Sequence, residues 1–396
     1  MDLRRNPYAP GAGTPPPELA GRDDIMERAA IAMDRIRAGR AARSLVLYGL
    51  RGVGKTVLLQ RMRRRAEDAG LITLSIEAPE DRSLPSLLVP ALRSALLRLE
   101  PGRAVTDALK KALAALAGFA KAAKVKYHDV ELSMDFGTAS SLAGSGSLEE
   151  DLRELLACAA AAAAEQDSAL VLLIDEIQYV AEAELAALIS ALHLASQRQL
   201  PVTLMAAGLP QLLAQMGRAK SYAERLFEFV PIGPLPAAAA RQALCVPARQ
   251  EGADLAEDGI EEILRCTEGY PYFLQEWGKH AWAAAAASPI TGDDARRATQ
   301  MALDELDASF FRVRFDRLAP AERRYMRAMA ELGAGPHRSG DIAGVLGKKI
   351  GAVAPVRSRL ILKGMIYSPG HGDTAFTVPL FDGFMRRIMP VLDAAP

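Results

Sequence analysis

One stretch limits this chain more than any other: an apolar run that stops at a glycine loop and continues as a helix. Ser44-Leu45-Val46-Leu47-Tyr48 reads as a buried strand, and residues 57–69 carry helical periodicity. Between them stands Gly49-Leu50-Arg51-Gly52-Val53-Gly54-Lys55-Thr56, a fit to GxxxxGK[ST]. Glycines in such a loop leave backbone N–H groups free to turn inward around phosphate oxygens, and the following helix N-terminus adds partial positive charge. Lys55 then reaches the β- and γ-phosphates, and the Thr56 hydroxyl is placed for Mg2+. Gly49 to Thr56, with Val57 as the first residue of the helix, form the expected cradle for ATP.

A second motif supplies acids. Leu170-Val171-Leu172-Leu173-Ile174 reads as another buried strand, and it ends in Asp175-Glu176. In an open parallel sheet, ligands sit beyond the C-terminal ends of the strands. Asp175 is therefore a candidate for Mg2+, mostly through water, and Glu176 for the general base that polarises an attacking water. Further strands are expected at 71–76 and 202–207. Helices are expected at 25–37, 84–99, 105–123, 148–165 and 184–197. This alternation predicts an α/β fold, a P-loop NTPase parallel sheet sandwiched by helices. An insertion near 101–147 carries a strand or hairpin at 125–134 and a Gly/Ser/Ala loop at 138–146.

After residue 236 the strand pattern stops. Helical patterns at 237–250, 260–266, 271–286 and 291–311 suggest a helical lid. Pro320 opens another unit, in which helices at 321–332, 339–346 and 352–363 precede a hairpin-like stretch at 365–378. That order describes a winged helix-turn-helix. Charge separates this piece from the rest: the whole chain has 48 Lys+Arg and 48 Asp+Glu, but residues 321–396 have 11 against 6. A winged helix sends its third helix into the major groove of double-stranded DNA. Arg357, Arg359 and Lys363 on that helix, with Lys348 and Lys349 just before it, are the DNA-binding candidates, and such contacts are salt-sensitive. Winged helices that only contact protein leave the same residues as a solvated basic surface. Residues 1–18 are a Pro/Gly-rich extended leader without an apolar core segment, so no signal peptide is expected. The three cysteines have no paired spacing, and the alanine runs are too short for a membrane span, so a cytoplasmic chain is expected.

Taken together, these motifs resemble AAA+ ATPases of the initiator-like branch, which holds origin-recognition and archaeal initiator proteins. The resemblance covers roughly 19–286 for the ATPase core and lid and 320–390 for the winged helix. Leu19-Ala20-Gly21-Arg22-Asp23 is similar to the family's short box near the adenine, which implies Gly21 and Arg22 as nucleotide contacts. Asp175 and Glu176 match the family's magnesium-binding and water-activating acids. Ala223-Glu224-Arg225-Leu226 lies where the family often carries an arginine finger. Arg225 is thus implied as a catalytic residue acting on a neighbouring subunit, in a homo-oligomer formed with ATP. Two positions depart from the family. Met205-Ala206-Ala207-Gly208 has no polar first sensor, and Gly269-Tyr270-Pro271-Tyr272 replaces the second-sensor arginine. The departures imply slow hydrolysis of ATP to ADP and phosphate. The implied organisation is a leader (1–18), an ATPase core (19–236), a lid (237–318) and a winged helix (319–396). Two functions remain open at this point: an ATPase switch that binds DNA, and a slowly hydrolysing regulatory switch whose C-terminal module binds protein.

Overall fold

Five parallel strands make the sheet: β1 (Ser44–Tyr48), β2 (Ile72–Glu77), β3 (Leu170–Asp175), β4 (Val202–Gly208) and β5 (Phe227–Pro231). Their spatial order is β2-β3-β4-β1-β5. The computed structural model describes residues 1–11, 13–99, 106–125 and 145–392. The hairpin expected at 125–134 and most of the loop expected at 138–146 fall outside the described residues.

The sequence pattern anticipates four of the five strands. β5 is missed because it is a short edge strand, directly preceded by a four-residue helix and closed by Pro231. Proline is tolerated there because an edge leaves some ladder positions unused. The strand order has a physical consequence. The chain leaves β1 for the far edge at β2, returns through β3 and β4, and then crosses to β5. The reversal lies at β1, so the loop after β1 opens at a topological switch point.

The chain forms two compact units. One consists of Asp23–Tyr48 and Lys55–Pro231, and the other of Met1–Arg22, Gly49–Gly54 and Ile232–Pro396. In the sheet unit, alternation along the strands sends Val46, Leu172, Ile174, Leu204 and Ala206 into one core with helices Leu84–Leu97, Asp107–Ala122, Leu148–Ala164 and Glu182–Gln197. The intervening residues Leu45, Leu47, Leu173 and Met205 are buried as well. Helices Asp23–Arg37 and Lys55–Asp68 cover that second face. Burial on both faces explains why these strands read as unbroken apolar runs.

The other unit is mostly helical. Helices Ala237–Gln250, Glu257–Thr267, Pro271–Ala284, Gly292–Ala308 and Phe310–Asp316 come first. A C-terminal module follows, with helices Pro320–Leu332, Ser339–Val345, Ile350–Leu362 and Phe381–Ile388. Strands β6 (His337–Arg338), β7 (Ile366–Tyr367) and β8 (Asp373–Phe376) form its antiparallel sheet in the order β6-β8-β7. Phe311, Phe315, Phe381 and Phe384 meet at ring distances of 5.3–5.9 Å and share one core with the preceding helices. Helix Ile350–Leu362 starts earlier than its sequence suggests, so Pro355 sits beyond the first turn, inside the helix. The leader is not extended throughout, because Leu3–Arg5 form a single 3-10 turn, and the segment is fastened down. Tyr8 is buried, and its hydroxyl donates to the Leu244 carbonyl at 2.5 Å. Asn6 donates to the Lys279 carbonyl, and the Trp282 indole donates to the Asp2 carbonyl. Among the described residues, no helix is long and apolar enough to cross a membrane.

Candidate functional site

The glycine loop is divided between the two units: Gly49–Gly54 belongs to the helical unit and Lys55 onward to the sheet unit. Gly52 (φ 82°) and Gly54 (φ 92°) adopt left-handed backbone that only glycine takes without strain. Gly49 has a different reason to be glycine, since a Cβ there would lie 2.0 Å from the Ile232 carbonyl oxygen. Val53, between the two left-handed glycines, is fully buried, and Leu50 and Arg51 are half-buried. Within the helical unit the loop is gripped at two backbone points. The Tyr272 N–H donates to the Gly52 carbonyl at 3.1 Å, and the Arg51 N–H donates to the Thr377 carbonyl at 3.1 Å. Thr377 is fully buried in the C-terminal module, where its hydroxyl donates to the Gly364 carbonyl at 2.6 Å.

Gly21 and Arg22 lie in the same unit, against Gly233 and the start of helix Ala237–Gln250. The Arg22 guanidinium bonds the Gly233 carbonyl. Gly21 is left-handed (φ 65°), and a Cβ on it would meet the Ala239 Cβ at 2.6 Å.

In the sheet unit, Lys55 opens helix Lys55–Asp68 with only 6% of its surface exposed. Val57, two residues on, is half-buried. Thr56 donates its hydroxyl to Asp175 Oδ2 at 2.6 Å, which brings the end of the loop and the end of β3 together. Burial holds the Asp175 carboxyl above the usual range, against the opposing pull of the Thr56 hydroxyl. This pair offers only oxygen donors, the set a hard cation such as Mg2+ prefers.

Glu176 follows in a left-handed conformation (φ 51°), with its N–H on Asp175 Oδ1 at 2.8 Å. A non-glycine residue held this way costs about 1–2 kcal/mol, which the surroundings must offset. The turn aims the carboxylate at Gln178, whose Nε2 donates to Glu176 Oε2. Gln178 was not singled out from sequence. It is buried, and its Oε1 accepts the Leu209 N–H at 3.0 Å, which fixes the amide so that the nitrogen faces Glu176. Gly208 makes the space, since a Cβ there would stand 2.6 Å from Gln178 Oε1. The end of β4 thus carries no polar side chain of its own and is met by Gln178 instead. The available signal was the glycine at 208 together with an amide two residues after the acid pair.

Arg225 is not brought to these acids within its own chain. It is exposed, on helix Ala223–Leu226, just before β5 begins. β5 pairs with β1 in parallel from Ser44↔Phe227 to Tyr48↔Pro231. Arg225 therefore lies beyond the N-terminal edge of the sheet, opposite the edge that presents Asp175.

The C-terminal cations divide. Lys348 and Lys349 are exposed just before helix Ile350–Leu362. Arg357 instead folds back onto Thr374 Oγ1 (2.8 Å), Ser368 Oγ (3.0 Å) and the Asp373 carbonyl (2.8 Å). Lys363 donates to Glu322 Oε2 at 2.7 Å, and Arg359 lies 3.5 Å from Glu322 Oε1. The same helix exposes Ile350 (57%) and Leu362 (74%).

Residues 18–205 match the AAA ATPase domain family, and residues 308–385 match a domain of unknown function, DUF8462. No curated protein sequence matches the chain. Among solved structures, it is similar to the Walker-type ATPase PABY2304 of Pyrococcus abyssi, at 17% identity and TM-score 0.59, over 94% of this chain and 97% of that one. It also matches Orc1 of Aeropyrum pernix in complex with DNA, at 16% identity and TM-score 0.49, over 94% of each chain. The RuvB Holliday junction branch migration motor of Thermotoga maritima matches at 15% identity and TM-score 0.44, over 90% of this chain and 92% of that one. The likeness to the Pyrococcus protein is one of fold, the P-loop NTPase arrangement of a parallel sheet with flanking helices.

Proposed function

We propose that an AAA ATPase domain, matched over residues 18–205, makes this chain a slow, ATP-dependent switch whose C-terminal module responds to the state of the phosphate loop. The observation that carries this reading is the 2.6 Å contact between Thr56 and Asp175, because it joins a phosphate-binding loop to a carboxylate at the ligand-bearing edge of a parallel sheet. In this reading Gly49 to Val57, Asp175, Gly21 and Arg22 contact ATP and its Mg2+. Thr56 and Asp175 hold the ion, which neutralises phosphate charge when bound. Lys55 supplies a further positive charge to the β- and γ-phosphates.

Glu176 is the general base. A water oxygen attacks the γ-phosphorus, the bond to the bridging oxygen breaks, and the water proton passes to the Glu176 carboxylate. Gln178 holds that carboxylate, so its aim does not depend on a polar residue of β4. Arg225 cannot serve its own site from the opposite sheet edge, so a catalytic role for it requires a second chain and an ATP-bound homo-oligomer.

Residues 319–396 are read as a winged helix. The backbone contact from Arg51 to Thr377 supports a role in sensing the loop. Arg357 and Lys363 are hydrogen-bonded within the helical unit, Arg359 lies 3.5 Å from Glu322, and two large apolar side chains are exposed on the same helix. These facts favour a protein-contacting module over one that reads double-stranded DNA. Titration of a fluorescent ATP analogue with Mg2+ tests the core assignment. Lys55→Ala should lose most affinity while keeping its circular dichroism spectrum, and near-native affinity in that folded variant would overturn the assignment.

A further inference from the structure

A partly buried cluster in the helical unit has no part in the function proposed above. Helices Pro271–Ala284 and Gly292–Ala308 pack together. Glu276 and His280 stand four residues apart on the first, which places both on one face. Glu305 reaches the same point from the second, and the three ligand atoms lie within 4.8 Å of one another. His280 Nε2 is 3.0 Å from Glu305 Oε2 and 3.3 Å from Glu276 Oε1. The His280 side chain is 9% exposed and that of Glu276 3%.

Despite these short distances, His280 Nε2 makes no hydrogen bond. A buried nitrogen left in this state is costly. Its position between two carboxylate oxygens is the one a metal ligand takes. In a tetrahedral zinc site with bonds of about 2.0–2.1 Å, adjacent ligand atoms are about 3.3 Å apart, close to the two distances from His280 Nε2 to the carboxylates. One imidazole with two carboxylates suits Zn2+ or Mn2+ better than an all-oxygen cation such as Mg2+.

The competing cation is also visible. Lys279 Nζ is 2.6 Å from Glu305 Oε1 and 3.3 Å from Glu276 Oε1, with its side chain 32% exposed. It is the present counter-charge and can swing to solvent. We propose that Glu276, His280 and Glu305 form a divalent metal site, best fitted to Zn2+, from which the Lys279 ammonium withdraws when the ion enters. The assignment stands whether or not the chain hydrolyses ATP.

The test uses the full chain, stripped with a chelator and carrying Asp175→Asn so that the phosphate-loop oxygens do not contribute. Competition of added ZnCl2 against a chromophoric chelator should give one ion per chain. Glu305→Gln, at the open edge of the cluster, should weaken binding at least about 100-fold, more than loss of a supporting partner around a metal usually costs. Lys279→Met should tighten it roughly tenfold by removing the competing charge. Circular dichroism checks both folds. No bound zinc, or equal binding by Glu305→Gln, overturns the proposal. If Glu305→Gln misfolds, nitrogen NMR of the Asp175→Asn chain decides: His280 Nε2 must shift on zinc addition, and an unmoved resonance overturns the site.

Discussion

The acids at the end of β3 and the cations of helix Ile350–Leu362 looked equally functional as residue types, but the fold treats them in opposite ways. Asp175 and Glu176 are held by near neighbours, namely the Thr56 hydroxyl, one backbone N–H and the amide of Gln178. Those contacts leave the carboxylates at the C-terminal edge of the sheet, the edge at which open parallel sheets generally take ligands. Arg357 and Lys363 spend their donors within the helical unit, on a strand, a turn, the Arg317 carbonyl and a buried glutamate. A charged side chain is available for function only after its structural partners have been counted.

The comparison breaks first at Glu176. Glu176→Gln keeps the shape and removes the proton acceptor, so phosphate release should fall about 10³-fold while the affinity for an ATP analogue stays within about twofold. Unchanged turnover would mean that the acids are as structural as the cations.

Gln178 sharpens the same side. Gln178→Ala frees the Glu176 carboxylate and strands the Leu209 N–H, and it should lower kcat about tenfold with KM unchanged. A change in KM alone would place Gln178 in nucleotide binding instead.

On the other side, Glu322 is the anion that holds Lys363 and Arg359. Burial raises its pKa, but the Lys363 hydrogen bond, the Ala319 N–H and the Arg359 charge outweigh that and bring it below the usual range. A lowered folded-state pKa means stability that is present above the ordinary glutamate range and is lost as pH falls through the folded value. Glu322→Gln should therefore cost about 1–3 kcal/mol at neutral pH, and the gap to wild type should close on acidification below about pH 4. Calorimetric melting across that range checks it, and a gap independent of pH would show that charge is not what Glu322 contributes.

The smallest effects separate the cations from one another. Arg357→Ala should lower stability by about 1–2 kcal/mol through three lost hydrogen bonds, whereas Lys348→Ala with Lys349→Ala should stay within about 0.5 kcal/mol. Fluorescence anisotropy with duplex DNA at low salt then decides between the partners. A protein-contacting module gives no salt-dependent DNA binding, and binding lost only in the lysine pair would return DNA to the reading.

The phosphate loop and the acid-tipped strand were legible because each is a local pattern. A glycine loop between strand and helix, or an unbroken apolar run ending in acid, has few other ways to fold. The parallel sheet followed from alternation of strands and helices, since a chain with that period must cover both faces of its strands. β5 escaped because five residues at a sheet edge, closed by proline, carry too little apolar periodicity to stand out. Gln178 escaped because its importance comes from the empty space at Gly208, on a strand that follows it in the chain. The same holds for Glu276, His280 and Glu305. Two of them share a helix face, but the third arrives from another helix, and only packing makes them one cluster. Residue type and spacing determined where phosphate chemistry could occur. Which charges remain free to act was decided by tertiary contacts, because burial and partner geometry depend on residues far apart in the chain.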